Sequence, residues 1–335
     1  MIELQNNRLL VSFPKVHPKA RCSIEFQRTL RIPDDNQNYP LPAGLGCFPI
    51  LSVDDYHYVP DSWKQHGGVF VPMYQSEAMW IKFNSSGYPF AVKVAAGKID
   101  AVSGKAWSNA LTRTPQDYVV IPDQRWLDGF CVATGVVRQF VAMPLGQGVT
   151  AEEQITGEAE WGGLQLIFYP MKADEYRKRY ERPAPKEAYD SGIRYSLSEY
   201  SSHNIHSNFS LGLAPGGRIN QEIAEDTFGL DVWDTTVSAR CFVHLVNSER
   251  YSQLTGQDPP TKPITAKQYA DAKIPWFDYY LDNKTLPSSK ILAGLDGLAA
   301  SLMKKGKDVD DNKPILITKT TDLSHKKHTV RDGEF

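Results

Sequence analysis

The sequence predicts a mainly β protein, and three observations support this prediction. Short runs rich in β-branched and aromatic residues follow one another through residues 1–180. Clusters of Gly, Pro, Asp and Asn separate these runs and are typical of turns. Patterns typical of helices are few in this part of the chain. We therefore predict a sandwich or barrel-like N-terminal domain, followed by a smaller α+β C-terminal domain with a terminal helix.

The chain of 335 residues is long enough for two domains. We expect a β-sandwich-like domain at 1–181, a Pro-rich linker at 182–187, an α+β domain at 188–303, and a polar, partly disordered tail at 304–335. The linker is placed at the prolines because proline lacks a backbone N–H and disrupts both helices and central strands.

The predicted strands of the N-terminal domain are short and closely spaced. They lie at 8–13, 21–32, 69–73, 78–83, 90–95, 118–121, 136–143 and 164–169. Two helices complete this half. Thr150 and Glu153 have capping-box spacing at the start of a helix that Gly157 ends, and a second, highly charged helix is expected at 173–180.

The strongest β pattern of the second half lies at 207–247. Apolar residues alternate on both sides of a Pro-Gly-Gly sequence at 215–217, which predicts a hairpin. Residues 239–246 form the most apolar β-type run of this half, so we expect them to pair with that hairpin.

The C-terminal part contains the clearest helical periodicity. Thr265 and Gln268 repeat the capping-box spacing. Apolar residues then recur at helical spacing over 289–304, although Gly294 and Gly297 weaken this helix. The short apolar run at 315–317 is able to add a strand to a sheet edge.

The composition argues against nucleic-acid and membrane partners and in favour of a cytoplasmic location. Lys+Arg 37 and Asp+Glu 39 leave no basic excess, so we expect no nucleic-acid partner. Four widely separated cysteines predict reduced thiols. The N-terminus has no leader pattern and no apolar run approaches the length of a membrane span, so we expect a soluble, cytoplasmic protein without a membrane partner.

Four segments resemble a family of functionally uncharacterised bacterial proteins. They are residues 28–35, 68–75, 92–98 and 275–280. The resemblance covers most of residues 20–300. It implies no activity, no cofactor and no site residue.

Histidines are the first candidates for a site. His203 and His206 are separated by three residues in a Ser-rich sequence that does not favour helix, and His244 follows later. A zinc or iron site would need three or more converging ligands, which the sequence does not identify. We therefore predict no metal site and leave the cofactor unknown, with none implied.

Cys241 and His244 suggest a nucleophile and a base. If 239–246 is a strand, however, the two side chains point to opposite faces and cannot touch. A buried structural thiol is then the expected state of Cys241.

The acidic loop at 225–235 offers the second candidate. Asp231 and Asp234 could act as acid and base, or bind calcium with Asp226, while Phe228 and Trp233 flank them as a polar ligand would require. The same aspartates are also ordinary turn formers.

Two classes of function remain open at this stage. The first is a non-catalytic ligand-binding or assembly protein, with an unknown and small polar ligand, that forms a homo-oligomer through its C-terminal segment. The second is a hydrolase or lyase with Asp231, Asp234 and His203 or His206 at the domain junction. A β-rich fold hosts both classes and does not decide between them. We favour the first class.

Overall fold

The computed structural model describes residues 1–181, 210–279, 284–307, 312–317 and 319–323. These residues form a mainly β protein with a large antiparallel sheet and few helices, which confirms the β-rich prediction. In the described residues, no helix is long and apolar enough to cross a membrane.

The described residues contain twenty strands and seven α-helices, together with two 3₁₀ helices of three residues each. The strands are β1 (Ile2–Gln5), β2 (Arg8–Ser12), β3 (Arg21–Thr29), β4 (Asn38–Tyr39), β5 (Leu41–Pro42), β6 (Gly44–Cys47), β7 (Leu51–Ser52), β8 (Val69–Met73), β9 (Ala78–Ser85), β10 (Phe90–Ala96), β11 (Ile99–Asp100), β12 (Val119–Ile121), β13 (Trp126–Leu127), β14 (Gly129–Ala133), β15 (Val136–Pro144), β16 (Leu164–Pro170), β17 (Ser210–Asn220), β18 (Ala239–Asn247), β19 (Trp276–Asp278) and β20 (Thr320–Asp322). The helices are α1 (Asp61–His66), α2 (Ala151–Thr156), α3 (Ala173–Tyr180), α4 (Ser248–Thr255), α5 (Ala266–Asp271), α6 (Lys290–Ala293) and α7 (Leu298–Lys304).

The large sheet contains a continuous antiparallel path of ten strands. Its order is β1-β2-β3-β9-β15-β17-β18-β16-β10-β12. Shorter strands attach to this path, and two of them are parallel: β8 lies along β18, and β4 along β17. A separate three-stranded sheet places β19 between β5 and β20.

Strands from both sides of the predicted domain boundary pair within the large sheet. β17 pairs with β15, and β18 pairs with β16 and β8. The hydrophobic core is likewise shared, because buried side chains from both halves form one cluster. The two-domain division is therefore not confirmed. The predicted linker at 182–187 lies outside the described residues.

The hairpin predicted around residues 215–217 is wrong. Residues 210–220 form one strand, β17, which runs along β15 on both sides of the Pro-Gly-Gly sequence. The register of the pair shifts there: Arg138 lies opposite Arg218, whereas Phe140 lies opposite Pro215. This is a β-bulge, which absorbs a proline without a turn.

Close backbone approach explains the glycines of this bulge. The segment at residues 30–33 crosses the sheet here, held by Gln139, whose side chain accepts from the Ile32 N–H at 2.8 Å and donates to the Leu30 carbonyl at 2.9 Å. A Cβ on Gly217 would lie 2.2 Å from the Pro33 carbonyl oxygen. The glycine therefore provides space for a crossing segment, which sequence patterns cannot distinguish from a turn.

The terminal helix predicted at 289–304 is interrupted. The chain forms α6 and α7, with a break at Gly294 to Gly297. Leu292, Leu298 and Leu302 are all buried, so the apolar stripe faces the protein's own sheet. Both glycines stand at helix boundaries, where low helix propensity costs little.

The predicted thiols, caps and C-terminal strand have mixed outcomes. All four cysteines are free and three of them are buried, as expected. The capping boxes at Thr150 and Thr265 are confirmed. The added strand exists, but it is β20 at Thr320–Asp322 and not the apolar run at 315–317.

A buried carboxyl group at Asp128 links the sheet to the following loop. Its Oδ2 accepts from the Gln221 amide at 2.6 Å, and its backbone N–H donates to the same side chain at 2.9 Å. Burial raises the pKa of Asp128 to about 7, although the bond from Gln221 acts in the opposite direction.

Gly217→Ala is expected to destabilise the protein by about 1–3 kcal/mol, because the added methyl group must displace the crossing backbone. Urea unfolding measures this change. Gly294→Ala is the matched control, since its Cβ would meet only the Ile291 carbonyl oxygen at 3.4 Å, and its stability should be unchanged. Equal stability of the wild type and both variants would contradict the packing described for the bulge.

Asp128 should make stability depend on pH. Its folded-state pKa lies above the ordinary value of 3.8, so the folded state binds more protons between these values and stability falls as pH rises from about 4 to about 7. Asp128→Asn cannot ionise and should lose that part of the pH dependence, on the order of 2–4 kcal/mol. Urea unfolding at a series of pH values tests this, and parallel curves for the two proteins would refute it.

Candidate functional site

The acidic loop predicted as a site is built around Asp226. This side chain is buried, and its Oδ2 accepts from the Tyr118 hydroxyl at 2.6 Å and from Trp233 Nε1 at 3.1 Å. Its Oδ1 accepts from the backbone N–H groups of Phe228 and Gly229. Asp226 therefore accepts hydrogen bonds both from the loop and from Tyr118, and it holds the loop against the sheet.

The other residues predicted in this loop have separate local environments. Asp231 is exposed, and Asp234 accepts from the Thr236 hydroxyl at 2.5 Å in a local turn. Trp233 is buried, and the Phe228 ring meets its edge at 5.8 Å. These contacts give both aromatic side chains a packing role.

Of the three histidines considered from the sequence, the structure describes only His244. His203 and His206 lie outside the described residues, so their proximity to Asp231 and Asp234 is untested. His244 lies in β18, on the face opposite to that of Cys241, as the strand prediction requires. Within the described chain, no group of three or more His, Cys, Asp or Glu side chains could hold a metal ion.

A pocket beside His244 is the better candidate site. Its volume is about 160 Å³. Helix α1, the turn after β15, the loop after α2, the start of β17 and strand β18 contribute its walls. We call it the histidine–tryptophan pocket, and its lining residues are Ser62, Trp63, His66, Leu145, Gly146, Ala159, Glu160, Trp161, Ser210 and His244.

Short-range geometry explains why aromatic rings gather here. Trp63 and His66 are three residues apart in α1 and therefore share one face of that helix. Phe242 and His244 are two residues apart in β18 and share one face of that strand. Parallel pairing of β8 with β18 brings the segment after α1 to this strand, since Val69 lies opposite Val243.

The rings form a nearly parallel stack. His66 lies on Phe242 at 5.1 Å, Phe242 on His244 at 4.3 Å, and His244 on Trp63 at 4.5 Å, with interplanar angles of 13°, 15° and 16°. Trp161 contacts His66 at 5.3 Å in a tilted arrangement. Such contacts fix ring orientation, so the pocket wall is preformed.

His244 is a neutral imidazole with a defined tautomer. Its Nε2 lies 3.1 Å from the Gly67 carbonyl oxygen, and a carbonyl can only accept, so Nε2 carries the proton. Burial lowers the pKa of His244 to about 3, although the bond to Gly67 acts in the opposite direction. Nδ1 consequently has a lone pair at neutral pH and can accept a hydrogen bond.

Glu152 holds the loop that carries Trp161. Its buried carboxylate accepts three backbone N–H groups, from Glu160 at 2.9 Å, Trp161 at 2.7 Å and Gly162 at 2.8 Å. Gly97 packs against this side chain, because a Cβ at position 97 would lie 2.2 Å from Glu152 Oε2. A buried carboxylate without hydrogen-bond partners is strongly destabilising. The three charge-assisted bonds to Glu152 offset this cost.

Glu153 holds the opposite loop. Its carboxylate accepts from the backbone N–H groups of Gly146 at 2.7 Å and Gly148 at 2.8 Å, and it completes the capping box with Thr150. Burial opposes ionisation of Glu153, but the bonds from Gly148, Thr150 and Gly146 outweigh burial and lower its pKa. The carboxylate thus occupies the helix N-terminus, where an anion would otherwise bind.

Three other cavities are weaker candidates for a ligand site. A groove of about 550 Å³ beside β2 and β3 is wide, and a cavity of about 410 Å³ near Arg113 is lined mostly by loop residues. A cleft of about 160 Å³ beside Trp80 and Trp126 is apolar, with Asp128 among its lining residues. Compared with these, the histidine–tryptophan pocket combines fixed aromatic walls with hydroxyl, carboxylate and imidazole groups, as ligand sites typically do.

Sequence reasoning missed most of this pocket. The capping box at Thr150 and Glu153 was a local signal that pointed to its framework. The spacing of Trp63 and His66 was a second signal, but it is informative only once residues 61–66 are known to be helical.

Glu152→Gln is expected to destabilise the protein by about 2–3 kcal/mol, because the amide places a donor among three backbone donors and removes the charge. Urea unfolding gives this value, and the indole resonance of Trp161 should broaden or shift. Glu158→Gln, an exposed change in the same loop, serves as control. Unchanged stability of the Glu152 variant would exclude the anchoring role.

Known proteins offer no assignment for this chain. No protein-family model, no curated protein and no solved structure matches it. The candidate site therefore depends on the geometry and chemistry of the chain's own residues.

Proposed function

We propose that the protein binds a small molecule in the histidine–tryptophan pocket and does not transform it. The observation that supports this most directly is that two adjacent glutamates of α2 fix both pocket loops through backbone hydrogen bonds. A site that is organised before the ligand arrives avoids the entropy of ordering loops on binding.

The state of His244 supports binding over catalysis. A general base works best when its pKa lies near the working pH, whereas the pKa of His244 is lowered to about 3. Its Nε2 donates to a backbone carbonyl, and not to a carboxylate that would strengthen the base. The ring is therefore suited to accept a hydrogen bond and unsuited to remove a proton.

The other predicted functions have no support beyond the sequence. A hydrolase or lyase site with Asp231 and Asp234 receives no support from the described geometry, in which these two carboxylates have separate local environments. Self-association through the C-terminal segment and a cytoplasmic location stay predictions.

Ala159→Trp is expected to abolish ligand binding, because Ala159 is an exposed residue of the pocket rim and an indole there would fill a space of about 160 Å³. Screening a library of small fragments by ligand-observed NMR measures this. Fragments that bind the wild type and shift the Trp63 or Trp161 indole signal should lose binding to the variant at least tenfold, which corresponds to about 1.4 kcal/mol.

The control is Ala270→Trp, an equal change at an exposed position of α5 that is not among the pocket-lining residues. It should bind the same fragments as the wild type. If no fragment shifts either indole signal, or if both tryptophan variants behave alike, the pocket is not a ligand site and the proposal fails.

A further inference from the structure

We propose that the ligand of the histidine–tryptophan pocket is a small organic ammonium with N–H groups, such as a primary amine in its protonated form. This inference depends on the proposed function, since it names the chemical class that the same pocket would take.

The charge of the lining favours a cation over an anion. Among the described residues that line the pocket, Glu160 supplies a carboxylate, and no lysine or arginine is present. His244 adds no positive charge, because its ring is buried between Phe242 and Trp63 and this burial lowers its pKa. A phosphate or carboxylate ligand would therefore meet a like charge from Glu160, with no lysine or arginine in the lining itself to compensate it.

The hydrogen-bonding groups of the lining require donors from the ligand. His244 Nδ1 and the Glu160 carboxylate are acceptors without a hydrogen to give. Ser210 Oγ accepts from Trp63 Nε1 at 3.3 Å and can still accept or donate once more. A ligand with several N–H groups satisfies these acceptors, whereas a quaternary ammonium leaves them without partners.

The aromatic walls favour a positive ligand. Ring faces attract cations through their quadrupole, and Trp is the strongest of the natural rings. Trp161 already demonstrates this preference, because the Lys98 ammonium lies 3.1 Å from the centroid of its ring. Lys98 is not among the lining residues, but its charge repels a second cation nearby.

The size of the pocket limits the ligand. A volume of about 160 Å³ is well below the roughly 300 Å³ at which sites for drug-sized ligands begin. The ligand is consequently a small amine or a short aminoalkyl group, with affinity in the millimolar range.

Lys98→Met should change the affinity of the pocket differently for cationic, neutral and anionic ligands. The variant keeps an apolar stem and a polarisable sulfur against Trp161, and it removes the competing ammonium. An ammonium ligand should then bind about threefold or more tightly, a neutral ligand should be unaffected, and an anion should bind more weakly. Glu160→Gln should weaken an ammonium ligand about threefold.

The probes are ethylammonium, tetramethylammonium, glucose and acetate, each titrated at pH 8 against full-length protein with ¹⁵N-labelled tryptophan. The result expected is a saturating shift of the Trp63 or Trp161 indole signal with ethylammonium, stronger in Lys98→Met and absent in Ala159→Trp. Lys267→Met, an exposed lysine of α5, is the matched control and should not change the affinity.

Two failures can be distinguished. If glucose, acetate or tetramethylammonium binds better than ethylammonium and Ala159→Trp abolishes that binding, the pocket is a ligand site and the ammonium class is wrong. If ethylammonium produces no indole shift, the ammonium class is also wrong, and the fragment screen decides separately whether the pocket binds anything.

Discussion

The burial of Glu152 is the constraint on which the candidate site depends. A carboxylate removed from water is costly unless donors surround it, and here three consecutive backbone N–H groups provide them. The loop must therefore fold around the side chain, and Trp161 is placed as a result. The neighbouring Glu153 does the same for the loop at Gly146.

This anchoring also connects the pocket to the large sheet. Gly163 follows the anchored loop, accepts from the Gly97 N–H at 3.1 Å and donates to the Leu211 carbonyl at 3.0 Å. Strands β10, β16 and β17 consequently meet beside the pocket, and β18 supplies His244. The site is thus supported by strands from both halves of the chain, which explains how a small pocket can be rigid although two of its walls are loops.

Local structure could be predicted from sequence because its causes are local. The apolar β-type run at 239–246 indicated a strand, and capping side chains indicated the helices that begin after Thr150 and Thr265. The opposite orientation of Cys241 and His244 followed from the strand alone. Glycine was ambiguous: at Gly217 it provides space for a crossing segment, whereas the sequence pattern indicated a turn. Strand pairing and the pocket were not predictable, since they join segments far apart in the chain.

Amide hydrogen exchange at the anchored loop tests the central claim most directly. If Glu152 holds the loop, the backbone N–H groups of Trp161 and Gly162 should exchange as slowly as those of the adjoining strand β16, with opening free energies of several kcal/mol. Exchange of these two amides at the rate of a free surface loop, while β16 stays protected, would contradict the account.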